Sequence, residues 1–170
     1  AGGHIGELTT FTLVPQVCDA VDIPVVAAGG IADSRGFDAA MCLGANGVQI
    51  GTVLLASEEC PIHENYKLQV VKAKDTSTVV TGRGTGAPVR VIKNKMSRQY
   101  LEMSKHGDIS LEEIEKLTLG SLRRAVFDGD MDTGSIMAGQ SAGLVKQIKP
   151  VKDILSAIYD ESRYAKGELK

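Results

Sequence analysis

The sequence lacks several features that would place a protein in a common functional class. Tryptophan is absent and aromatic residues make up only 4% of 170 residues, so a core must be built mainly from aliphatic side chains. The net charge of −2 predicts no basic surface of the kind that nucleic acids or anionic membranes attract. No apolar run approaches the roughly 20 residues of a membrane-spanning helix. We therefore expect neither a nucleic-acid nor a membrane partner.

Metal sites and disulfides are equally poorly supported by the sequence. The three cysteines, Cys18, Cys42 and Cys60, are odd in number and are not spaced as metal ligands. This pattern favours reduced thiols and a cytoplasmic location. The acidic segment FDGDMD at 127–132 lacks the spacing and the closing glutamate of a calcium loop, so a solvated turn is expected there. No metal site is predicted.

The most informative stretch is 23–52, IPVVAAGGIADSRGFDAAMCLGANGVQIGT. Its apolar runs at 24–28 and 47–50 each stop at a glycine, as buried parallel strands do when they end at a functional loop. Between them lies an amphipathic pattern with Asp33 or Ser34 as helix N-cap. The stretch therefore predicts a right-handed βαβ unit and an α/β fold with a parallel sheet or barrel.

Each predicted strand ends at a turn suited to an anion. Gly29-Gly30 allows close approach of the backbone, and the next helix start is expected to add unpaired N–H groups. Gly51-Thr52 repeats this arrangement and adds a hydroxyl. A glycine pair alone is often only a tight turn, but two such turns after adjacent strands are typical of the phosphate site of (β/α)₈ barrels. We predict a cofactor phosphate between Gly29, Gly30, Gly51 and Thr52.

A histidine lies one βα unit upstream of these turns. The opening segment AGGHIGELTT places His4 directly behind Gly2 and Gly3, which fits a loop at the carboxyl end of a strand. A lone histidine is more often a solvated loop residue. Because all βα loops of a barrel meet on one face, His4 is nevertheless the predicted catalytic residue.

The rest of the chain is predicted mostly from helical periodicity. Up to residue 94 the predicted elements are a helix over 12–21 with Pro15 in its first turn, a helical segment over 53–74, a strand over 76–80 and a glycine-rich loop over 81–94. The helical segment is interrupted near Cys60 and Pro61, and His63 within it is expected to be solvated. Beyond the loop the predicted elements are a polar helix over 94–106, a capping box at 110–113, a helical stripe over 111–126, a helix starting in GSIMAGQSAG (134–143), and a final helix from Pro150 to Tyr159. In the glycine-rich loop, Arg83 and Arg90 are candidates for phosphate contacts or are simply solvated.

Several segments together resemble one enzyme family. In order, they are AGGHIGELTT, PVVAAGGIAD, GVQIGT, TGRGTGAPVR, NKMSRQYLE and RRAVFDGDMDTGSIMAGQSAGLV. They resemble the FMN-dependent enoyl-acyl carrier protein reductases of the FabK type, relatives of nitronate monooxygenase (2-nitropropane dioxygenase). The resemblance spans residue 1 to about residue 150 and is far more specific than any single glycine motif.

The resemblance implies a TIM barrel with a smaller lid domain and FMN at the barrel mouth. It implies reduction of a trans-2-enoyl thioester on acyl carrier protein with NADH or NADPH, in fatty acid biosynthesis. The family's catalytic histidine falls on His4, and its FMN-phosphate loops fall on Gly29-Gly30 and Gly51-Thr52. Gly2 and Gly3 would lie beside the flavin.

The resemblance also suggests how the chain is divided. Residues 1–56 would be the last part of the barrel, 57–135 the lid, and 136–170 helices that pack back on the barrel. Family members are about twice this length, so the chain is expected to be the C-terminal part of an enzyme that is a homodimer at full length. A monovalent cation, used by some members, is implied without identifiable ligands.

Two alternatives remain open from the sequence. A nitronate monooxygenase would use the same barrel, FMN and histidine to oxidise alkyl nitronates with oxygen, with the histidine as a base. A phosphate-binding half-barrel without redox activity would use only the glycine turns. The segments HIGELTT, NKMSRQYLE and RRAVFDGD favour the reductase.

Overall fold

The computed structural model describes residues 1–105 and 111–169, which form two small sheets surrounded by helices. The strands are β1 (Gly3–His4), β2 (Val26–Ala28), β3 (Gly47–Gln49), β4 (Thr78–Thr81) and β5 (Val89–Ile92). The α-helices are α1 (Thr10–Ala20), α2 (Ser34–Cys42), α3 (Glu64–Val71), α4 (Lys95–Lys105), α5 (Leu111–Thr118), α6 (Ser121–Val126) and α7 (Val151–Tyr159). Short 3-10 helices occupy Thr52–Ala56, Arg83–Thr85 and Gln140–Leu144. Among these residues, no helix has the length and apolar content to cross a bilayer.

The predicted βαβ unit is confirmed. β2 and β3 pair in parallel, with Ala27 opposite Val48, and α2 connects them. The Asp33 carboxylate accepts a hydrogen bond from the Gly36 N–H at 3.2 Å and so caps α2, as its side chain predicts. Gly44 ends the helical region with φ +96°, a conformation that suits glycine.

Buried apolar side chains form two clusters that meet at α2. The smaller cluster joins α1, β2 and α2 and contains Val14, Ala27, Ile31, Ala40, Met41 and Ala45. The larger contains Val53, Ala56, Tyr66, Val70, Ala73, Ile92, Ala125, Ile136, Ala138, Ala142, Val145, Ile154 and Ile158. Phe37 packs against both clusters and makes an edge-to-face contact with Tyr159, with ring centroids 5.9 Å apart. The core is mainly aliphatic, as the scarcity of aromatic residues predicts.

A second sheet contains β1, β5 and β4 in that order, all antiparallel. The prediction of a loop over 81–94 is therefore wrong for β5. The VRVI run of β5 pairs with β4 because Gly82 and Gly86 turn the chain with φ of +78° and +74°. A Cβ on Gly82 would lie 2.1 Å from the carbonyl oxygen of Ala87, so this turn requires glycine.

Other predicted helices differ in their bounds. α1 begins at Thr10, which places Pro15 inside the helix rather than in its first turn. Gly120, at φ +69°, divides the predicted stripe over 111–126 into α5 and α6. The capping box begins at Ser110, and both this residue and His106 lie outside the described residues. The final helix and the interruption near Cys60 are confirmed.

The segment 134–143 is not the predicted α-helix. Its backbone is extended at Met137, which forms an antiparallel bridge with Val91, and becomes a 3-10 helix only from Gln140. Glycines explain the difference, because a Cβ on Gly134 would lie 2.3 Å from the Asp130 carbonyl oxygen. Its glycines serve close approaches between segments rather than helix packing.

Asn94 joins the start of α4 to the turn before this segment. Its side-chain amide donates to the carbonyl oxygens of Met131 (2.9 Å) and Gly134 (2.7 Å), and its side-chain oxygen accepts from the Ser97 N–H at 2.9 Å. Asn94 is 7% exposed, so water cannot readily replace these partners.

We predict that Asn94→Ala lowers the free energy of unfolding by about 3 kcal/mol, since it removes a helix cap and leaves buried carbonyl groups unpaired. Urea unfolding followed by circular dichroism measures this. Gln99→Ala, on the exposed face of α4, is the control and should change stability by less than about 0.5 kcal/mol. Equal stability of the two variants would contradict the assigned role of Asn94.

Candidate functional site

The predicted glycine turns line one cavity of about 340 Å³. Its lining consists of Ala1, Gly2, Gly3, Ala28, Gly29, Gly30, Ile31, Gln49, Gly51, Thr52, Leu55, Met137 and Ser141. All six residues predicted to bind the cofactor are in this set, although they come from three separate chain segments. We refer to this space as the glycine cavity. Its lining contains no charged side chain, so its polar groups are backbone, hydroxyl and amide groups.

The turn after β2 has the backbone conformation that the sequence predicts. Gly29 and Gly30 have φ of +104° and +82°, a region that other residues rarely adopt. The Thr10 hydroxyl lies 2.9 Å from the Gly29 carbonyl oxygen and 3.1 Å from that of Ala28. Because Thr10 begins α1, the hydroxyl fixes this turn against the preceding helix.

The start of α2 carries a side-chain cap. One of its first N–H groups, that of Gly36, already donates to the Asp33 carboxylate. A hydrogen bond from Arg35, at 3.0 Å from Nε, holds the pKa of Asp33 below its ordinary value, so this carboxylate is ionised at neutral pH. The Asp33 carboxylate thus lies at the positive end of the α2 dipole and occupies one of the N–H groups at the helix start.

The turn after β3 is held by a segment from far along the chain. The Thr52 hydroxyl oxygen accepts a hydrogen bond from the Gly139 N–H at 2.9 Å. The only hydroxyl proton of Thr52 is therefore free to donate to a different acceptor. The 3-10 helix that begins at Thr52 has no side-chain cap.

The segment 136–141, which we call the cavity strap, is fixed at two further points. Ile136 accepts a hydrogen bond from the Ile92 N–H at 2.8 Å. Met137 accepts one from the Tyr66 hydroxyl at 2.8 Å. Burial raises the pKa of Tyr66, so its phenol stays protonated and remains a donor.

The strap lies against Ala1 and Gly2, directly before β1, without space for a side chain between them. A Cβ on Gly2 would lie 2.5 Å from the carbonyl carbon of Ala138. A Cβ on Gly139 would lie 3.1 Å from both the carbonyl carbon of Ala1 and the Thr52 hydroxyl oxygen. Gly2 therefore has a structural role in addition to lining the cavity.

His4 lies outside the glycine cavity. It is exposed and belongs to β1, opposite Val89 of β5, rather than to an irregular loop as predicted. It lines a second cavity of about 670 Å³, here called the histidine cavity. The two cavities share Ala1, Ala28, Gly29 and Gly30, so they adjoin at the turn after β2.

The predictions for the other histidines have different outcomes. His63 caps α3, accepting a hydrogen bond from the Asn65 N–H at 3.0 Å, and contacts Gly129, so it is not the solvated residue that was predicted. The turn at 127–132 is confirmed, with Asp130 accepting bonds from the N–H groups of Asp132 and Thr133 at 2.9 Å. Neither feature lines the cavities described above.

The cavity strap is the part of the site that sequence reasoning missed. The sequence pattern places its small residues in a helix, whereas Gly139 packs against Ala1, Gly2 and Thr52. The spacing of Gly134, Gly139 and Gly143, at five and four residues, was the available signal. It is irregular for one helix face and fits several separate close contacts better.

Comparison with known proteins assigns the family. A sequence profile described as nitronate monooxygenase matches residues 1–161. The chain belongs to the nitronate monooxygenase family. A probable nitronate monooxygenase of Staphylococcus saprophyticus is 40% identical over 160 residues, covering 87% of this chain and 44% of the relative. One from Staphylococcus aureus is 38% identical over 173 residues, covering 95% of this chain and 48% of its own length.

Solved structures of the same family agree with the fold. FabK from Thermotoga maritima has a TM-score of 0.91 and 47% identity over 99% of this chain and 53% of its own. Nitroalkane oxidase from Streptomyces ansochromogenes has a TM-score of 0.78 and 28% identity, over 100% of this chain and 51% of its own. The structure is thus part of a TIM barrel of a flavin oxidoreductase family. The chain spans about half the length of these relatives.

We predict that Thr52→Val releases the strap, because the buried Gly139 N–H loses its acceptor at a cost of about 1 to 3 kcal/mol. Hydrogen exchange at the Gly139 amide should become faster. Thr52→Ser keeps the hydroxyl and is the matched control, with exchange close to that of the wild type. Identical protection of Gly139 in both variants would contradict this contact.

Proposed function

We propose that this chain provides the FMN-phosphate site and the catalytic histidine of an FMN-dependent enoyl-acyl carrier protein reductase. The observation that carries the proposal is that the glycine cavity and the histidine cavity adjoin at Gly29-Gly30. One cavity suits the cofactor and the other suits the substrate. Identity of 47% to FabK, against 28% to nitroalkane oxidase, favours the reductase.

The residues of the glycine cavity fit a flavin phosphate. Its lining contains no carboxylate that would repel a phosphate dianion. A Cβ on Gly30 or Gly51 would meet nothing within 4 Å, so the backbone at both turns is open to a ligand. The turn N–H groups and the hydroxyls of Thr52 and Ser141 are suitable donors. When bound, FMN supplies hydride transfer between NADH or NADPH and the enoyl thioester.

His4 would act on the substrate from the adjoining cavity. In this proposal its imidazole donates a hydrogen bond to the thioester carbonyl oxygen, where negative charge develops, or gives a proton to the α-carbon. Its exposed position on β1 leaves the ring accessible to a substrate. Pairing of β1 with β5 holds its backbone in place.

Several wider features belong to the same proposal. They are an acyl carrier protein-linked substrate, a homodimer at the length of the relatives, and a monovalent cation in support of activity. No described residue is assigned to the cation. The division of the chain at residues 56 and 135 also stays a prediction.

A nitronate monooxygenase is the second candidate, favoured by the 40% identity to the curated staphylococcal relative. In that reaction His4 would be a base toward the nitronate substrate, and the glycine cavity would keep its role. The two candidates therefore differ in what enters the histidine cavity.

We predict that His4→Gln lowers kcat for crotonyl thioester reduction by at least about 100-fold while FMN stays bound, since His4 lines only the histidine cavity. Stopped-flow absorbance of the flavin and of NADH measures both. His63→Asn, which keeps a capping side chain on α3, is the control and should retain activity. Wild-type turnover of His4→Gln would refute the assignment.

Substrate turnover by the natural full-length protein distinguishes the reductase from the monooxygenase. NADH oxidation under nitrogen that requires a crotonyl thioester is the expected result. Oxygen consumption with an alkyl nitronate, and no thioester-dependent NADH oxidation, would establish the second candidate instead.

A further inference from the structure

The histidine cavity contains a concentration of positive charge that the proposed reaction does not use. Its lining includes the charged side chains of Glu7, Arg83 and Arg90. Within residues 1–105 and 111–169, no carboxylate lies within 4.0 Å of either guanidinium group. By contrast, Arg35 and Arg163 elsewhere on the surface each pair with a carboxylate.

Arg90 is half-buried and only partly hydrogen-bonded. One terminal nitrogen donates to the Thr78 hydroxyl at 3.1 Å, which fixes the guanidinium across the β4–β5 hairpin. A guanidinium has five N–H donors, and removing its charge from water is costly without an anionic partner. The remaining donors of Arg90 are therefore available to a ligand in the cavity that it lines.

Arg83 is held by the tight turn at the end of the same hairpin. The Ala87 N–H donates to the Gly82 carbonyl oxygen at 3.1 Å, and the Thr85 hydroxyl lies at the same distance from that oxygen. The Gly86 N–H donates to the Arg83 carbonyl oxygen at 3.3 Å. This glycine-rich segment is therefore a hydrogen-bonded turn that places Arg83 at the cavity.

The hairpin also sets the position of both arginines relative to His4. Arg90 pairs with Gly3 across the sheet, and Val89 pairs with His4. The Ile5 N–H donates to the Pro88 carbonyl oxygen at 3.1 Å, which extends this pairing toward the turn. In this register the Arg90 and His4 side chains leave opposite faces of the sheet, so it is the cavity lined by both residues that brings a guanidinium to a ligand with one end at His4.

We propose that Arg83 and Arg90 form a subsite for the phosphate ester of an elongated substrate whose reacting end lies at His4. Arginine suits this role because its planar fork matches phosphate oxygens with two parallel hydrogen bonds. The inference rests on the proposed reductase function and adds to it a basis for substrate selection. Both substrates of that reaction contain a phosphate ester, in the carrier's phosphopantetheine arm or in the dinucleotide.

The test compares two thioesters that differ in a single phosphate, crotonyl-4′-phosphopantetheine and crotonyl-pantetheine. Arg83→Gln and Arg90→Gln should each lower kcat/KM for the phosphorylated thioester by about tenfold, the usual effect of losing a charge-assisted hydrogen bond. For the unphosphorylated thioester the change should be less than about twofold. Arg98→Gln removes the same charge from the exposed face of α4 and should change neither.

The dinucleotide is tested in parallel with the same variants. An increase in KM for NADH, with both thioesters unaffected, would assign the subsite to the dinucleotide phosphate and support the inference. An equal loss with both thioesters, at an unchanged KM for NADH, would show that the arginines only stabilise the hairpin and would overturn it.

Direct binding separates this inference from the proposed function. Titration calorimetry of the wild-type protein should show tighter binding of 4′-phosphopantetheine than of pantetheine, and Arg90→Gln should remove the difference. If the protein reduces no thioester but this difference is present, the proposed function fails and the subsite stands. Equal binding of the two compounds, together with an unchanged affinity of Arg90→Gln for NADH, would overturn the subsite whatever the activity.

Discussion

The site depends on a close contact between two backbone segments that are far apart in the sequence. The cavity strap lies against Gly2, directly before β1, and against Thr52, and a Cβ on Gly2 is excluded because it would be 2.5 Å from Ala138. The Gly139 N–H then reaches the Thr52 hydroxyl, and the Tyr66 hydroxyl fixes Met137. This contact joins the βαβ half of the chain to its second half. The glycine cavity is therefore a product of tertiary structure, although its donors belong to local turns.

The electrostatics of the site divide its two cavities by charge. The lining of the glycine cavity has no charged side chain, and the Asp33 carboxylate caps the start of α2. In the proposed function, anion binding there would rely on backbone N–H groups, including those of the Gly29-Gly30 turn, whose positive φ values suit glycine. The histidine cavity instead contains the guanidinium groups of Arg83 and Arg90. Such a division suits a cofactor phosphate in the first space and a more flexible charged substrate in the second.

Local patterns predicted the βαβ unit and its turns well, because strand ends, the Asp33 cap and paired glycines are determined by neighbouring residues. They predicted the second sheet and the cavity strap poorly. β5 depends on a turn at Gly82 that brings β4 beside it, and the strap depends on partners such as Thr52, 87 residues away. Short-range periodicity contains no information on such partners, so glycines that serve tertiary contacts looked like part of a helix.

The most direct test of this account is the affinity of the protein for FMN compared with riboflavin, which lacks only the phosphate. Flavin fluorescence quenching gives both dissociation constants under identical conditions. The account predicts that FMN binds at least about 100-fold more tightly, as expected for several charge-assisted hydrogen bonds. Equal affinity for the two flavins, or binding of neither, would contradict the claim that the turns at Gly29-Gly30 and Gly51-Thr52 hold a flavin phosphate.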